Sequence, residues 1–325
     1  MPSPYLSRKH PDLLARASWH DYTGRSIYLV TFNVANGIPP FSSIEATDQN
    51  GTAVCHLSNI GETIEHQISH ITDFYPFVSV ISHCVMPDHI HLLVFVKEKT
   101  KISLGQIIGS LKGNCSKAAM TAFPELAQKI KDTGLFSKGF NDRILQRNGQ
   151  LDNFRRYIED NPRRYLIRKS HPEYFNRVNM VAINGQEYAF YGNFLLLRHC
   201  VISAVRISRS FSPAELQAKH SEWNEVARSG GVLVSPFISV AERIVRDKAC
   251  ENGAKIIHLV TNGLPERYKP SGREFVLCAQ GRLLIIAPVH HNTRKENLTR
   301  AQCLRLNELA ELIAAQGARM ALRNP

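Results

Sequence analysis

The sequence predicts two domains of different class. Residues 1–175 read as an α+β domain, an antiparallel sheet with helices on one face, and residues 180–325 as an α/β domain. Three observations carry this. The first half holds strong period-two strands set close together and interspersed with helices, the pattern of an antiparallel sheet with helical cover. The second half alternates short β-branched runs with helical stretches, as a parallel sheet requires. A chain of 325 residues also exceeds the usual size of one domain. Its character changes between about Ser170 and Gly185.

The elements follow in order. Ser26 to Val34 is β-branched and aromatic and reads as a strand, and Thr52 to Leu57 as a second. Ile60, Ile64, Ile68 and Ile71 recur three or four apart, giving a helix over Asn59 to Ile71. Phe77 to Cys84 and His89 to Val96 are strands joined by a short turn containing Met86, Pro87 and Asp88. Ser103 caps a helix that runs to Phe123 and stops before Pro124. After a loop with Gly134 and Gly139, Leu151 to Ile167 reads as helical, with Pro162 ending or kinking it. In the second half the strands are Val201–Ile207, Val232–Ser235, Lys255–Val260 and Arg282–Ala287. The helices between and after them are Pro213–Arg228, Val240–Asn252 and Arg300–Ala315.

A net charge of +12 favours a polyanionic partner. The excess is uneven: residues 101–170 carry 14 Lys plus Arg against 6 Asp plus Glu, while residues 1–100 are slightly acidic. A solvated basic face is the plain alternative. The seven cysteines are scattered, odd in number and never in a CxxC pair, which argues for a reducing cytoplasm and against a disulfide framework or zinc ribbon. The apolar stretches are too short to span a bilayer, and Met1 to Tyr22 lacks a signal-like apolar run, so no membrane partner is expected.

The chemistry concentrates in Met86-Pro87-Asp88-His89-Ile90-His91-Leu92-Leu93-Val94. Residues i and i+2 of a strand share a face, so His89 and His91 project together while Ile90 and Leu92 enter the core. Two adjacent imidazoles can ligate one divalent metal ion, although strand histidines are often structural. The second feature is Arg155-Arg156-Tyr157-Ile158-Glu159-Asp160-Asn161-Pro162. Tyr157 and Asn161, four apart, share a helical face. A phenol is a weak nucleophile that becomes effective on a metal-polarised phosphate whose charge Arg155 and Arg156 offset. A half-buried tyrosine on an amphipathic helix is the plain alternative.

Over about its first half the chain resembles the single-tyrosine HUH transposases, the insertion-sequence and REP-associated tyrosine transposases. Six blocks occur in family order: Tyr28-Leu29-Val30-Thr31; Leu57-Ser58-Asn59-Ile60-Gly61; Val85 to Val94; Ile108-Gly109-Ser110-Leu111-Lys112-Gly113; Phe140-Asn141-Asp142-Arg143-Ile144; and Tyr157 to Pro162. The resemblance implies an HUH nuclease-like fold and a Mg²⁺ or Mn²⁺ ion held by His89, His91 and Asn161. It further implies Tyr157 as the nucleophile, forming a 5′-phosphotyrosine on single-stranded or hairpin DNA and leaving a 3′-OH for rejoining, as in transposition and recombination. Lys112 matches a basic family position, as a DNA contact or a solvated lysine. Two departures stand out. Asp88 replaces the commoner Asn, and Asn161 in place of Gln points to the REP-associated branch. The basic stretch Arg143, Arg147, Arg155, Arg156, Arg163, Arg164, Arg168 and Lys169 is suited to the DNA backbone. Phe154 and Tyr165 could stack bases or fill core. Action of Tyr157 within its own subunit and across a homodimer both stay open.

In the second half, Ser229-Gly230-Gly231-Val232-Leu233-Val234-Ser235-Pro236 followed by Glu242 is a glycine pair, a buried strand and a helix start. Ligands of parallel sheets gather at strand carboxyl ends and helix N-termini, so Gly230, Gly231, Ser235 and Glu242 form a candidate ligand site. This region resembles the Rossmann-like fold of DNA-processing protein A and the lysine-decarboxylase-like nucleotide proteins, with Arg206-Ile207-Ser208-Arg209 and Ser271-Gly272-Arg273 as polar loops. A structural or partner-docking role is the alternative there. For the whole chain, the rivals to a transposase are a catalytically silent DNA-binding protein and a nuclease effector governed by a nucleotide-sensing C-terminal domain.

Overall fold

The computed structural model describes residues 16–47, 52–208, 210–266, 268–292 and 298–321, with side chains to residue 316. Arg209, part of one expected polar loop, lies outside them. The chain divides into two compact units, Met1–Leu166 and Ile167–Pro325.

The first unit runs β1 (Ser26–Asn33), β2 (Ser42–Ala46), β3 (Ala53–Leu57), α1 (Asn59–Ser69), α2 (Ile71–Phe74), β4 (Val78–Val85) and β5 (His89–Val96). It continues through α3 (Leu104–Ala122), α4 (Pro124–Thr133), β6 (Asn141–Ile144), α5 (Gln150–Glu159) and into α6 (Asn161–Ser170). A four-stranded antiparallel sheet has the order β4-β5-β1-β6, while β2 and β3 form a separate hairpin. β1 and β5 pair in register from Ser26↔Val96 to Asn33↔His89. Alternation then sends Tyr28, Val30, Phe32, Ile90, Leu92 and Val94 to one face, where they pack with Ile60, Ile64 and Ile68 of α1 and Leu104, Ile107, Ile108 and Leu111 of α3.

The opposite face is covered as well, which corrects the expectation of helices on one face only. Leu29 and Leu93 pack there with Ile158, and Leu151, Phe154 and Tyr157 of α5 join them. The strands offer apolar side chains on both faces and α5 has an apolar stripe of its own, so burial of both is satisfied by a third layer. Pro124 does not merely stop α3; it opens α4 as an N-terminal proline. The expected helix over Leu151 to Ile167 breaks at Asp160 into α5 and α6. Pro162 has no N–H for the next helical bond, and the ladder resumes from Arg164 N to Asp160 O at 3.0 Å.

The second unit runs β7 (Arg177–Ile183), β8 (Gln186–Gly192), β9 (Ile202–Ala204), α7 (Pro213–Arg228), β10 (Val232–Ser235), α8 (Val240–Glu251), β11 (Lys255–Leu259), α9 (Gly272–Ala279), β12 (Leu283–Pro288) and α10 (Arg300–Ala321). Its six-stranded sheet has the order β7-β8-β12-β11-β10-β9. β9 to β12 are parallel, and β8 and β7 extend the sheet antiparallel. Leu233, Ile256, Leu283 and Ile285 face Trp223 of α7, Val245 of α8 and Leu277 of α9. Val234, Ile257, Leu284 and Ile286 face Leu309, Ala310 and Ile313 of α10. Burial on both faces explains the continuous apolar runs in these strands. The parallel strands lie in consecutive order, without the reversal that opens a ligand crevice in doubly wound sheets. Among the described residues no helix is long and apolar enough to cross a membrane.

Close approach at Gly61 seats the first turn of α1: a Cβ there would lie 1.8 Å from the Phe41 carbonyl oxygen. That oxygen already accepts from Ser58 N at 3.0 Å, so it cannot move freely. Gly61→Ala is expected to cost about 2 kcal/mol or more. Gly109→Ala, with nothing within 4 Å of the new Cβ, is expected to stabilise α3 by up to about 1 kcal/mol. Urea unfolding of both variants checks the contrast, and equal stabilities would contradict it.

Candidate active site

The candidate site lies on the α5-covered face of the first sheet. His89 and His91 leave β5 on this side because Ile90 and Leu92, both fully buried, occupy the other. The two rings stand nearly perpendicular, and their Nε2 atoms converge to 3.1 Å. Behind them, His89 Nδ1 is 2.6 Å from Asp88 Oδ1, and His91 Nδ1 is 2.7 Å from Thr31 Oγ1. With metal–nitrogen bonds of about 2.1 Å, two nitrogens 3.1 Å apart subtend about 95° at an ion, close to adjacent positions of an octahedron. The pair therefore fits a six-coordinate divalent ion. Among the described residues no group of three or more His, Cys, Asp or Glu side chains could hold a metal. Further donors would come from a neutral oxygen, water or substrate, which leaves the open positions a catalytic ion needs.

Tyr157 lies against this pair. Its ring sits edge-on to His91 with centroids 5.4 Å apart, and the Arg164 guanidinium lies 5.6 Å from the ring centre. Packing with Leu29, Leu93 and Ile158 holds the ring at the sheet. Asn161, 3% exposed, opens α6, and its Nδ2 donates to the Tyr157 carbonyl at 2.6 Å. The bond ties the amide to the residue bearing the phenol and leaves Oδ1 as the acceptor atom of that amide. The expected shared face of Tyr157 and Asn161 thus arises across the α5–α6 break rather than along one helix.

The basic residues divide into two groups. Arg143, Arg147, Arg155 and Arg156 are exposed. Arg143 pairs with Leu29 across β1 and β6, and so shares the sheet face of the histidines. Arg163 is bound to Asp160, Arg164 is buried beside Tyr157, and Arg168 lies over Phe275. Lys112 is half-buried, donates to the Ser137 and Gly139 carbonyls at 2.7 and 2.9 Å, and ties down the loop before β6. Phe154 belongs to the α5 packing layer, and the Tyr165 phenol is pushed up by burial and by the Asp88 carboxylate.

Strand register also brings to this face residues to which the sequence assigned no role. Cys84, His91, Thr31 and Asn141 form one row across β4, β5, β1 and β6, and Asn33 pairs with His89. The signal was present: Thr31 and Asn33 are a polar i, i+2 pair ending an otherwise apolar strand, the counterpart of His89 and His91.

In the second unit the expected ligand constellation is not assembled. Gly230 and Gly231 stand before β10 and Ser235 at its far end, about 13 Å away at strand spacing. Gly231 has no room for a Cβ against Val226, and Gly230 takes φ +73 where α7 ends. The Glu242 carboxylate accepts from the Ser239 and Ile207 N–H groups, which makes it a helix cap. A separate cavity of about 370 Å³ lies among Arg246, His258, Ser271, Arg273, Glu274 and Leu277. Both of its guanidiniums pair with Asp247, and its Glu274 accepts from the Tyr268 hydroxyl.

The first unit is thus a compact α+β unit whose histidine pair and tyrosine meet on one face of the sheet. Residues 56–161 match the family model of IS200-like transposases, a stretch that includes His89, His91, Lys112, Arg143, Arg155, Arg156, Tyr157 and Asn161. No curated protein matches the chain. Similar solved structures include a REP-associated tyrosine transposase bound to a REP hairpin, at 16% identity and TM-score 0.31, covering 45% of this chain and 72% of that one. A protein described as a transposase from Deinococcus radiodurans R1 shares 15% identity at TM-score 0.29, over 45% of this chain and 97% of that one. DNA-processing protein A from Helicobacter pylori, a single-stranded DNA binder, shares 15% identity at TM-score 0.29, over 46% and 78%.

Burial holds the Lys112 ammonium down to about 8, below the lysine value of 10.5. Between these values the unfolded chain retains the proton and the folded chain releases it, so the contribution of Lys112 to stability rises with pH. Lys112→Met removes this titration. Unfolding in urea from pH 7 to 10 should show the wild type gaining on the variant above pH 8, and parallel curves would contradict the burial.

Proposed function

We propose that the first unit cleaves and rejoins single-stranded DNA with a Mg²⁺ or Mn²⁺ ion, and that Tyr157 is its nucleophile. The observation that carries this is the convergence of the His89 and His91 Nε2 atoms at 3.1 Å with the Tyr157 ring against His91. His89, His91 and Asn161 Oδ1 would hold the ion, which when bound polarises the scissile phosphate. The Tyr157 oxygen attacks phosphorus and loses its proton as the new P–O bond forms. The bond to the 3′ oxygen breaks, and that oxygen takes up a proton to become a free 3′-OH. The DNA stays attached through a 5′-phosphotyrosine until a 3′-OH attacks it and frees Tyr157.

Arg143, Arg155 and Arg156 are the proposed contacts to the DNA backbone, because they are exposed whereas Arg163 and Arg168 are partly buried and Arg164 is buried. Lys112 acts on DNA indirectly, by holding the loop before β6. The 5.4 Å contact within one chain supports use of Tyr157 by its own subunit. The second unit is proposed as an α/β accessory domain.

The test is formation of an SDS-resistant adduct between the full chain and labelled hairpin or single-stranded oligonucleotides with Mn²⁺ or Mg²⁺. The wild type forms it, and Tyr157→Phe and His89→Ala do not. An adduct surviving Tyr157→Phe overturns the nucleophile, and hairpin binding without any adduct favours the silent DNA-binding protein. In binding titrations, Arg155→Ala with Arg156→Ala should lower the slope of log affinity against log salt by about 1.4, at about 0.7 per single-strand phosphate contact. An unchanged slope would remove both residues from the interface.

A further inference from the structure

His89 and His91 are backed by chemically different groups, a carboxylate 2.6 Å from one Nδ1 and a hydroxyl 2.7 Å from the other. An ionised carboxylate only accepts hydrogen bonds. A neutral His89 therefore carries its proton on Nδ1 and presents a lone pair at Nε2. Two lone pairs facing at 3.1 Å would repel, so without an ion the second proton sits on His91 Nε2 and is donated to His89. His91 Nδ1 must then accept, and a hydroxyl can supply that proton. The four groups form one directional chain, from the Thr31 hydroxyl through His91 and His89 to the Asp88 carboxylate.

We propose that Asp88 and Thr31 make the paired histidines a tautomer switch for metal binding. The inference rests on the reading of this pair as a metal site. Asp88 keeps His89 in the ligating tautomer whether or not an ion is present. His91 must exchange its Nε2 proton for one on Nδ1 before Nε2 can ligate. Thr31 permits the exchange because its oxygen donates to Nδ1 in one state and accepts from it in the other. A carboxylate in place of Thr31 would hold His91 in one tautomer, and an apolar side chain would leave Nδ1 without this partner. The exchange moves one proton from Nε2 to Nδ1 through solvent, so the neutral pair gains and loses none overall. The carboxylate also strengthens His89 as a donor, which makes it the tighter ligand. Asp88 and Thr31 act through the two histidines and are positioning residues.

The test uses the full chain with ¹⁵N-labelled histidine, and Mn²⁺ affinity from the resonance of the free ion. In the metal-free wild type, nitrogen shifts should report His89 as the Nδ1–H and His91 as the Nε2–H tautomer. Mg²⁺ should convert His91 alone. Asp88→Asn should weaken Mn²⁺ binding by about 10-fold or more, since an amide lacks the charge and can flip to favour the wrong tautomer. Thr31→Val should also weaken binding, and Thr31→Ser should restore it. His91 already in the Nδ1–H form without metal overturns the switch, as do equal Mn²⁺ affinities across the variants. In both cases metal binding by the wild type would leave the nuclease reading standing. A wild type that binds no Mn²⁺ overturns this inference together with the proposed metal.

Discussion

The pairing of β1 with β5 governs the position of the histidines and of the strand side chains beside them at the candidate site. Ile90, Leu92 and Val94 are fully buried against α1 and α3, each worth about 1.5–3 kcal/mol of apolar transfer. A slip of one residue would turn all three toward the other face and drive His89 and His91 into the core. The cost of that exchange locks the register. The same register sets Thr31 across from His91 and Asn33 across from His89. Core packing on one face of the sheet thus determines the chemistry available on the other.

The second constraint is the covering of that other face. α5 contributes Leu151, Phe154 and Ile158 to a small apolar layer with Leu29 and Leu93, and Tyr157 lies at its edge against His91. A tyrosine anchored on a packed helix keeps its ring beside the histidines rather than sampling solvent. The break at Asp160 completes the arrangement. It lets Asn161 turn its amide back to the Tyr157 carbonyl and brings Arg164 over the ring. One proline-enforced interruption therefore links a candidate ligand, a candidate nucleophile and a cation.

Much of this was legible in the sequence because it depends on local periodicity. Alternation over His89 to Val96 gave both the strand and the facing of its histidines, and Ser103 caps α3 as expected, in a capping box with Gln106 that the structure adds. What the sequence hid depends on distant partners. β6 is four residues, Asn141 to Ile144, with little strand character of its own, and exists through pairing with β1. β2 and the β7–β8 hairpin were missed for the same reason. The helical cover on two faces was hidden because amphipathicity marks an apolar stripe without naming the surface it meets. Spacing showed that Arg163 and Arg164 are cationic but not that Asp160 engages one and burial takes the other. In the second unit, composition suggested a ligand loop at Gly230 and Gly231, whereas tight packing on Val226 and a helix end account for both glycines.

The central claim is that the two strand histidines and Asn161 make one metal site beside Tyr157. Anomalous diffraction at the manganese edge, from crystals of the full chain grown with MnCl₂, tests it most directly. The account predicts one strong peak about 2.1–2.2 Å from both Nε2 atoms, with Asn161 Oδ1 in the coordination sphere and the Tyr157 ring still against His91. Manganese bound elsewhere, or no peak within bonding distance of the two Nε2 atoms at saturating metal, would contradict it.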